Sequence, residues 1–181
     1  MALGATIYHL QITVSDVDRN VYETLDLRVA RHPSESMRYL LTRTLAYCLQ
    51  YQEGIAFSKG LSTVEEPPVV VRDLQGTLKV WIDVGTPSAE RLHKARKAVD
   101  RVVVFTQHGI GLLQKEAASR AIHKADTIEV YSLDPAFLDA LDAVTDRNSH
   151  WELVHTDGQL YLTVAGKTLE SIVTKHSLAS D

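Results

Sequence analysis

The run Val80-Trp81-Ile82-Asp83-Val84 sets a carboxylate inside an apolar stretch, and this constrains the fold more than any other feature of the chain. The run reads as a buried strand. An ionised carboxylate in that setting is costly unless it meets a cation or a metal ion. Asp83 is therefore either the acid of a functional site or an acid at a strand end that caps the helix start at Thr86-Pro87.

The neighbouring segments place this strand in an α/β (α+β) frame. Thr77 to Val84 forms the strand, the apolar run Val69-Val70-Val71 with Arg72-Asp73 precedes it, and Leu74-Gln75-Gly76 makes the turn between them. Glu65-Glu66-Pro67-Pro68 is a breaker ahead of that pair, and Gly54 to Ser58 is a further strand. Proline is well placed at a first helical position, so Thr86-Pro87 opens a helix whose buried face is Leu92, Ala95 and Val99. Arg101 to Thr106 is a second buried strand. A helix over Leu112–His123, a strand at Thr127–Tyr131 and a helix over Pro135–Val144 follow. Upstream, the apolar alternation of Ala5 to Val14, the turn Ser15 to Asn20 and the strand Val21 to Ala30 make a hairpin. Pro33-Ser34 then starts a helix with Met37, Leu40, Leu41, Leu45 and Cys48 at helical spacing. Thr156-Asp157-Gly158-Gln159 joins Trp151–Val154 to Leu160–Val164 as a closing hairpin. The expectation is one domain over residues 1–181, with a core of about 31–125 flanked by hairpins at 5–30 and 151–164.

Composition narrows the partners. The single cysteine, Cys48, rules out an internal disulfide and a thiolate zinc site, and fits a reducing, cytoplasmic setting. No apolar run reaches the ~18 residues of a membrane span. The net charge of −4 argues against indiscriminate nucleic-acid binding, yet charge is unevenly distributed. Between Glu90 and Lys124 stand eight bases (Arg91, Lys94, Arg96, Lys97, Arg101, Lys115, Arg120, Lys124) and three acids, a local +5 against −9 elsewhere. Such a stretch is a face for an anionic partner such as nucleic acid, or an ordinary exposed helix surface.

Metal-dependent phosphodiester cleavage needs carboxylates converging on Mg²⁺ (or Mn²⁺) and a cation near the developing charge. Asp73 and Asp83 are the candidate pair. Across a tight hairpin they do not meet, because one sits at the turn and the other at the far end of the second strand. They converge only if the strands splay. Asp73 also suits a plain turn aspartate before Leu-Gln-Gly.

Pro67-Pro68-Val69-Val70-Val71-Arg72-Asp73, Trp81-Ile82-Asp83-Val84-Gly85, Arg91-Leu92-His93-Lys94-Ala95 and His32-Pro33-Ser34-Glu35 resemble the YaeQ family, and segment order agrees along essentially the whole chain. The resemblance implies a compact variant of the P-D…(D/E)-x-K restriction-endonuclease-like fold: a mixed sheet core with flanking helices and added terminal hairpins. By position it implies Asp73 as the first metal aspartate, Asp83 as the acid of the second motif and Glu35, in the first turn of its helix, as an auxiliary carboxylate. It also implies the Val84 carbonyl as a further metal ligand, and a third strand that splays the Asp73–Asp83 pair. The chain departs from the pattern at Gly85, where the pattern has lysine. A migrated cation would come from the next helix, Lys94 first and Arg91 second. Gln107, at the end of the following strand, would stand at the rim of the site, or is a simple polar strand end.

Gly109-Ile110-Gly111 lacks the third glycine of a dinucleotide loop, since position 114 is Gln114. The histidines show no paired metal spacing, and Cys48 falls on an apolar helix face. Two functions remain: a metal-dependent phosphodiesterase, or a nuclease-fold module that binds nucleic acid or protein without turnover.

Overall fold

The computed structural model describes residues 4–58 and 66–178. Glu65, the first residue of the expected breaker, lies outside them. In chain order the elements are β1 (Thr6–Asp16), β2 (Val21–Arg31), α1 (Met37–Leu49), β3 (Ile55–Phe57), β4 (Val69–Arg72), β5 (Leu78–Val84), α2 (Ala89–Ala98), β6 (Arg101–Thr106), α3 (Ile110–Ser119), β7 (Glu129–Ser132), α4 (Pro135–Val144), β8 (Asn148–Thr156), β9 (Gln159–Val164), β10 (Lys167–Ile172) and β11 (Thr174–His176). They form a mixed α+β fold with two mixed sheets and four helices among the described residues. The chain divides into two compact units: residues 1–49 with 133–173, and residues 50–132 with 174–181.

The first unit holds a sheet in the order β10-β9-β8-β1-β2. The two hairpins expected as separate additions at the chain ends share this sheet, because β1 runs parallel to β8 with Ile12 beside Trp151. The β1–β2 register sets Leu10 against Leu27 and Ile12 against Leu25. Two-residue alternation thus collects Leu10, Ile12, Leu25, Leu27, Val29, Trp151 and Leu153 on one buried face. α1 contacts β2 and α4, and α4 contacts β10. Arg38 of α1 grips Asp139 of α4 with two bonds of 2.7 and 2.6 Å. Cys48 of α1 is wholly buried, and burial pushes its thiol up. Pro33 and Ser34 form a turn before α1 instead of starting it. Ser36 is the cap, its Oγ accepting from the Tyr39 amide at 3.1 Å.

The second unit holds a sheet in the order β11-β7-β6-β5-β4-β3. β5, β6 and β7 are parallel, and β3–β4, β4–β5 and β7–β11 are antiparallel. The crossovers are helical, as parallel neighbours require. Trp81, Val102, Val104 and Val130 share one sheet face and pack with Leu92, Ala95 and Leu113 of α2 and α3. α2 begins later than Thr86-Pro87 suggests. Ser88 is its cap, accepting from the Arg91 amide at 3.2 Å, and Pro87 stands before the cap. α3 ends at Ser119, not His123, and β7 starts at Glu129 because Ala125–Thr127 form a 3-10 turn.

Candidate functional site

Asp83 lies near the carboxyl end of β5, two residues beyond Trp81 and so on the same, helix-covered face. It is 3% exposed. Its Oδ2 accepts from Arg91 Nε at 2.6 Å and from the Trp81 indole N–H at 3.2 Å, and its Oδ1 accepts from the Val84 amide at 3.2 Å. α2 supplies the arginine. With Ser88 as cap, Arg91 falls in the first helical turn, from where its guanidinium reaches back to β5. That guanidinium also donates to the Glu66 carbonyl at 3.1 Å and lies 5.3 Å from the centroid of the Trp81 ring. Charge, hydrogen bond and cation–π contact together offset the desolvation of a buried acid. The question the sequence poses about Asp83 is therefore answered by a cation from the next helix.

Asp73 has a different setting. It follows β4, and its Oδ1 accepts from the Gln75 amide at 3.0 Å and the Thr77 amide at 2.9 Å. Its Oδ2 faces Lys79 Nζ at 3.7 Å. This is an Asx turn closing a tight hairpin, tightened further by the Asp73 N–H bond to the Thr77 carbonyl. A bulge between Val71 and Arg72 is the only irregularity in the described β4–β5 register, so the expected splaying does not occur. Six residues of strand separate Thr77 from Asp83, roughly 20 Å at ~3.3 Å per residue. The structure does not bring Asp73 and Asp83 together, which corrects the expectation of a shared ion. A carboxylate able to face Asp83 from β4 would have to stand opposite it. Val69 pairs with Ile82, so that position is Pro68.

Glu35 belongs to the first unit, and it precedes α1 instead of lying in its first turn. It is 5% exposed, with Oε1 accepting from Arg43 Nη2 at 2.9 Å and Oε2 from the His32 amide at 3.2 Å. Its charge is thus committed to a buried ion pair. Val84 is buried beside Asp83 at the end of β5. Lys94 is exposed on α2, one turn beyond Arg91. Gln107 follows β6, 6% exposed, and its Oε1 meets no hydrogen-bond donor among the described residues. Among those residues no group of three or more His, Cys, Asp or Glu side chains is arranged to hold a metal ion.

Gly85, in the place of the lysine, has a φ of +94°. Its N–H bonds the Phe105 carbonyl at 2.8 Å while the chain leaves the sheet for α2. A side chain is disfavoured in that conformation, so the backbone here selects glycine. Sequence reasoning missed two supports of the site. Trp81 signals itself only through its spacing from Asp83. Glu116 of α3, which accepts from the Ala89 amide at 3.0 Å and so helps cap α2, has no local signal.

Within the basic stretch from Arg91 to Lys124, the four arginines all have partners inside the protein. Arg91 meets Asp83, Arg101 meets Glu129 at 2.7 Å, Arg120 meets Glu90 at 3.7 Å, and buried Arg96 bonds Thr127 and the Val99 carbonyl at 2.7 Å each. Lys94, Lys97, Lys115 and Lys124 are exposed. His123 follows α3, and its N–H donates to His93 Nδ1 at 2.9 Å. Its ring is held below the ordinary 6.5, first by desolvation and then by the charges of Lys124, Arg96, Lys97 and His93.

The same architecture recurs in solved structures. The YaeQ protein from Xanthomonas axonopodis pv. citri superposes with a TM-score of 0.87 at 29% identity, covering 97% of this chain and 99% of that one. The YaeQ protein from Pseudomonas syringae gives 0.85 at 27% identity, covering 98% and 97%. The uncharacterized protein YaeQ of Escherichia coli (strain K12) is 31% identical over 176 residues, 96% of this chain and 97% of that protein. No described helix is long and apolar enough to cross a membrane. The YaeQ protein family matches residues 1–173, and the chain belongs to that family.

Proposed function

We propose that this YaeQ-family chain is a nuclease-fold binding module without turnover, which takes a phosphodiester backbone on its exposed lysines. The pairing of Asp83 with Arg91 at 2.6 Å carries the reading, since it fills the place a metal ion would need. Pro68 opposite Asp83, Asp73 spent in its turn and Gly85 with φ +94° all favour the same conclusion. The restriction-endonuclease-like frame draws support from the mixed sheet in which antiparallel β4–β5 leads into parallel β5–β6–β7. The partner is inferred from Lys94, Lys97, Lys115 and Lys124, which are all exposed in the locally basic stretch.

One observation favours an enzyme instead. Asp83 lies near the carboxyl ends of adjacent parallel strands, where open α/β sheets place their ligands. In that reading Mg²⁺ or Mn²⁺ displaces Arg91, and Lys94 supplies the cation. Calorimetric titration of Mn²⁺ into wild type and Asp83→Asn separates the two. The binding module gives no saturable heat in either protein. Saturable heat lost in Asp83→Asn would return the chain to the phosphodiesterases.

Fluorescence anisotropy with single-stranded and duplex oligonucleotides tests the partner. Binding should fall steeply with salt as counterions are released, and should vanish on charge reversal at Lys94, Lys97 and Lys124 together. It should also strengthen as pH falls below 6.5. His123 has a lowered pKa, is neutral at pH 7, and adds positive charge only on the acid side. Unchanged binding in the triple variant would remove this surface from the proposal.

A further inference from the structure

Among the described residues β2 is the terminal strand of its sheet, 11 residues long and paired only with β1. His9 turns its N–H to the Arg147 carbonyl, beside β8, so the even-numbered residues of β1 face β2. The register Leu10 to Leu27 then assigns the odd-numbered residues of β2 to β1. Tyr22, Thr24, Asp26, Arg28 and Ala30 therefore direct their backbone N–H and C=O groups off the edge. Arg43 takes the Ala30 carbonyl at 2.9 Å, and β1 is the only strand paired with β2 among the described residues. Soluble proteins blunt such edges with proline, a bulge or charged side chains, lysine above all. This strand, Val-Tyr-Glu-Thr-Leu-Asp-Leu-Arg-Val-Ala-Arg, has no proline, lysine or bulge, and its four charges are two of each sign.

The charges on the strand are symmetric about Leu27. Asp26 and Arg28 lie one residue to either side, and Glu23 and Arg31 lie four residues to either side, acids before the centre and bases after it. We propose that the β2 edge pairs antiparallel with β2 of a second copy of this chain, about a two-fold axis at Leu27. In that register Asp26 meets Arg28 of the second copy and Glu23 meets its Arg31. Each contact occurs twice by symmetry. Asp26 and Arg28 both turn their backbone groups outward, so the ladder bonds form between them. Leu25, Leu27 and Val29 lie on the inner face, and Leu25 falls opposite Val29 while Leu27 meets its own copy. The two neighbouring registers fail on charge, because one puts Asp26 on Asp26 and the other Arg28 on Arg28. Like charges directly opposite are destabilising, so the sequence selects one register. Asp26 also touches the ring of His9 across the strands, and its side chain remains exposed.

Sedimentation velocity over a concentration series tests the pairing. Wild type should show a concentration-dependent dimer. Asp26→Arg and Arg28→Asp should each weaken it about tenfold or more, since each turns two attractions into two repulsions. An equimolar mixture of these two variants should dimerise again, because in the mixed dimer both cross-strand pairs are once more of opposite charge. Thr24→Pro deletes an N–H directed off the edge, leaves the β1–β2 bonds intact and should also weaken the dimer. Far-UV circular dichroism confirms that each variant is folded. A wild-type monomer at every concentration, a dimer indifferent to the single variants, or a mixture no better than its components would each overturn the proposal.

Discussion

An aspartate stands near each end of β5 in opposite circumstances, Asp73 ahead of it in the turn from β4 and Asp83 within it. At the amino end, Asp73 is part of a turn and spends its carboxylate on amides of its own hairpin. At the carboxyl end, Asp83 is buried on a helix-covered sheet face and is balanced by a guanidinium from α2. One acid is local and replaceable. The other is tertiary and depends on a partner eight residues away. Two acids spaced like a metal pair in sequence thus do different jobs, and strand register decides which.

Substitution can widen or erase that contrast. The largest loss should come from Arg91→Met, which leaves Asp83 charged and buried without its cation, at about 3 kcal/mol in urea unfolding. Gly85→Lys restores the motif on paper but forces a side chain to φ +94°, so about 2 kcal/mol should be lost and no phosphodiesterase activity gained. Asp83→Asn should cost less than Arg91→Met, about 1 to 2 kcal/mol, because Arg91 is partly exposed and keeps the Glu66 carbonyl. A reversed order of those two would mean that Arg91, not Asp83, is the strained partner. Asp73→Ala should remove about 1 kcal/mol of turn stabilisation, read by the same unfolding curves. Lys79→Ala should fall within about 0.5 kcal/mol of wild type, since Lys79 is mostly exposed.

Much of the fold was legible because its signals are local. Pro135 to Val144 is helical over its whole expected length, and the Asp157-Gly158 turn joins its strands as the dipeptide requires. β10 went unread, although Ala165 and Gly166 both have the positive φ of a two-residue hairpin turn. Two helix starts fall two to four residues later than expected because serines cap them: Ser36 and Ser88 outcompete the preceding prolines. The candidate site was less legible. Val80 to Val84 announces that Asp83 needs a partner, but nothing local chooses between a metal ion and Arg91. That choice rests on how α2 folds back over Trp81. The hairpin objection to an Asp73–Asp83 pair could be read from spacing alone, and the register supports it over the splayed arrangement.

Cys48 gives this protein an internal clock. It is the one thiol in the sequence, sits without exposure in α1 and is held protonated by burial. Only the thiolate attacks, so a thiol reagent modifies the chain no faster than α1 opens. The labelling rate in native buffer therefore reports every opening that exposes α1, whether local or part of global unfolding.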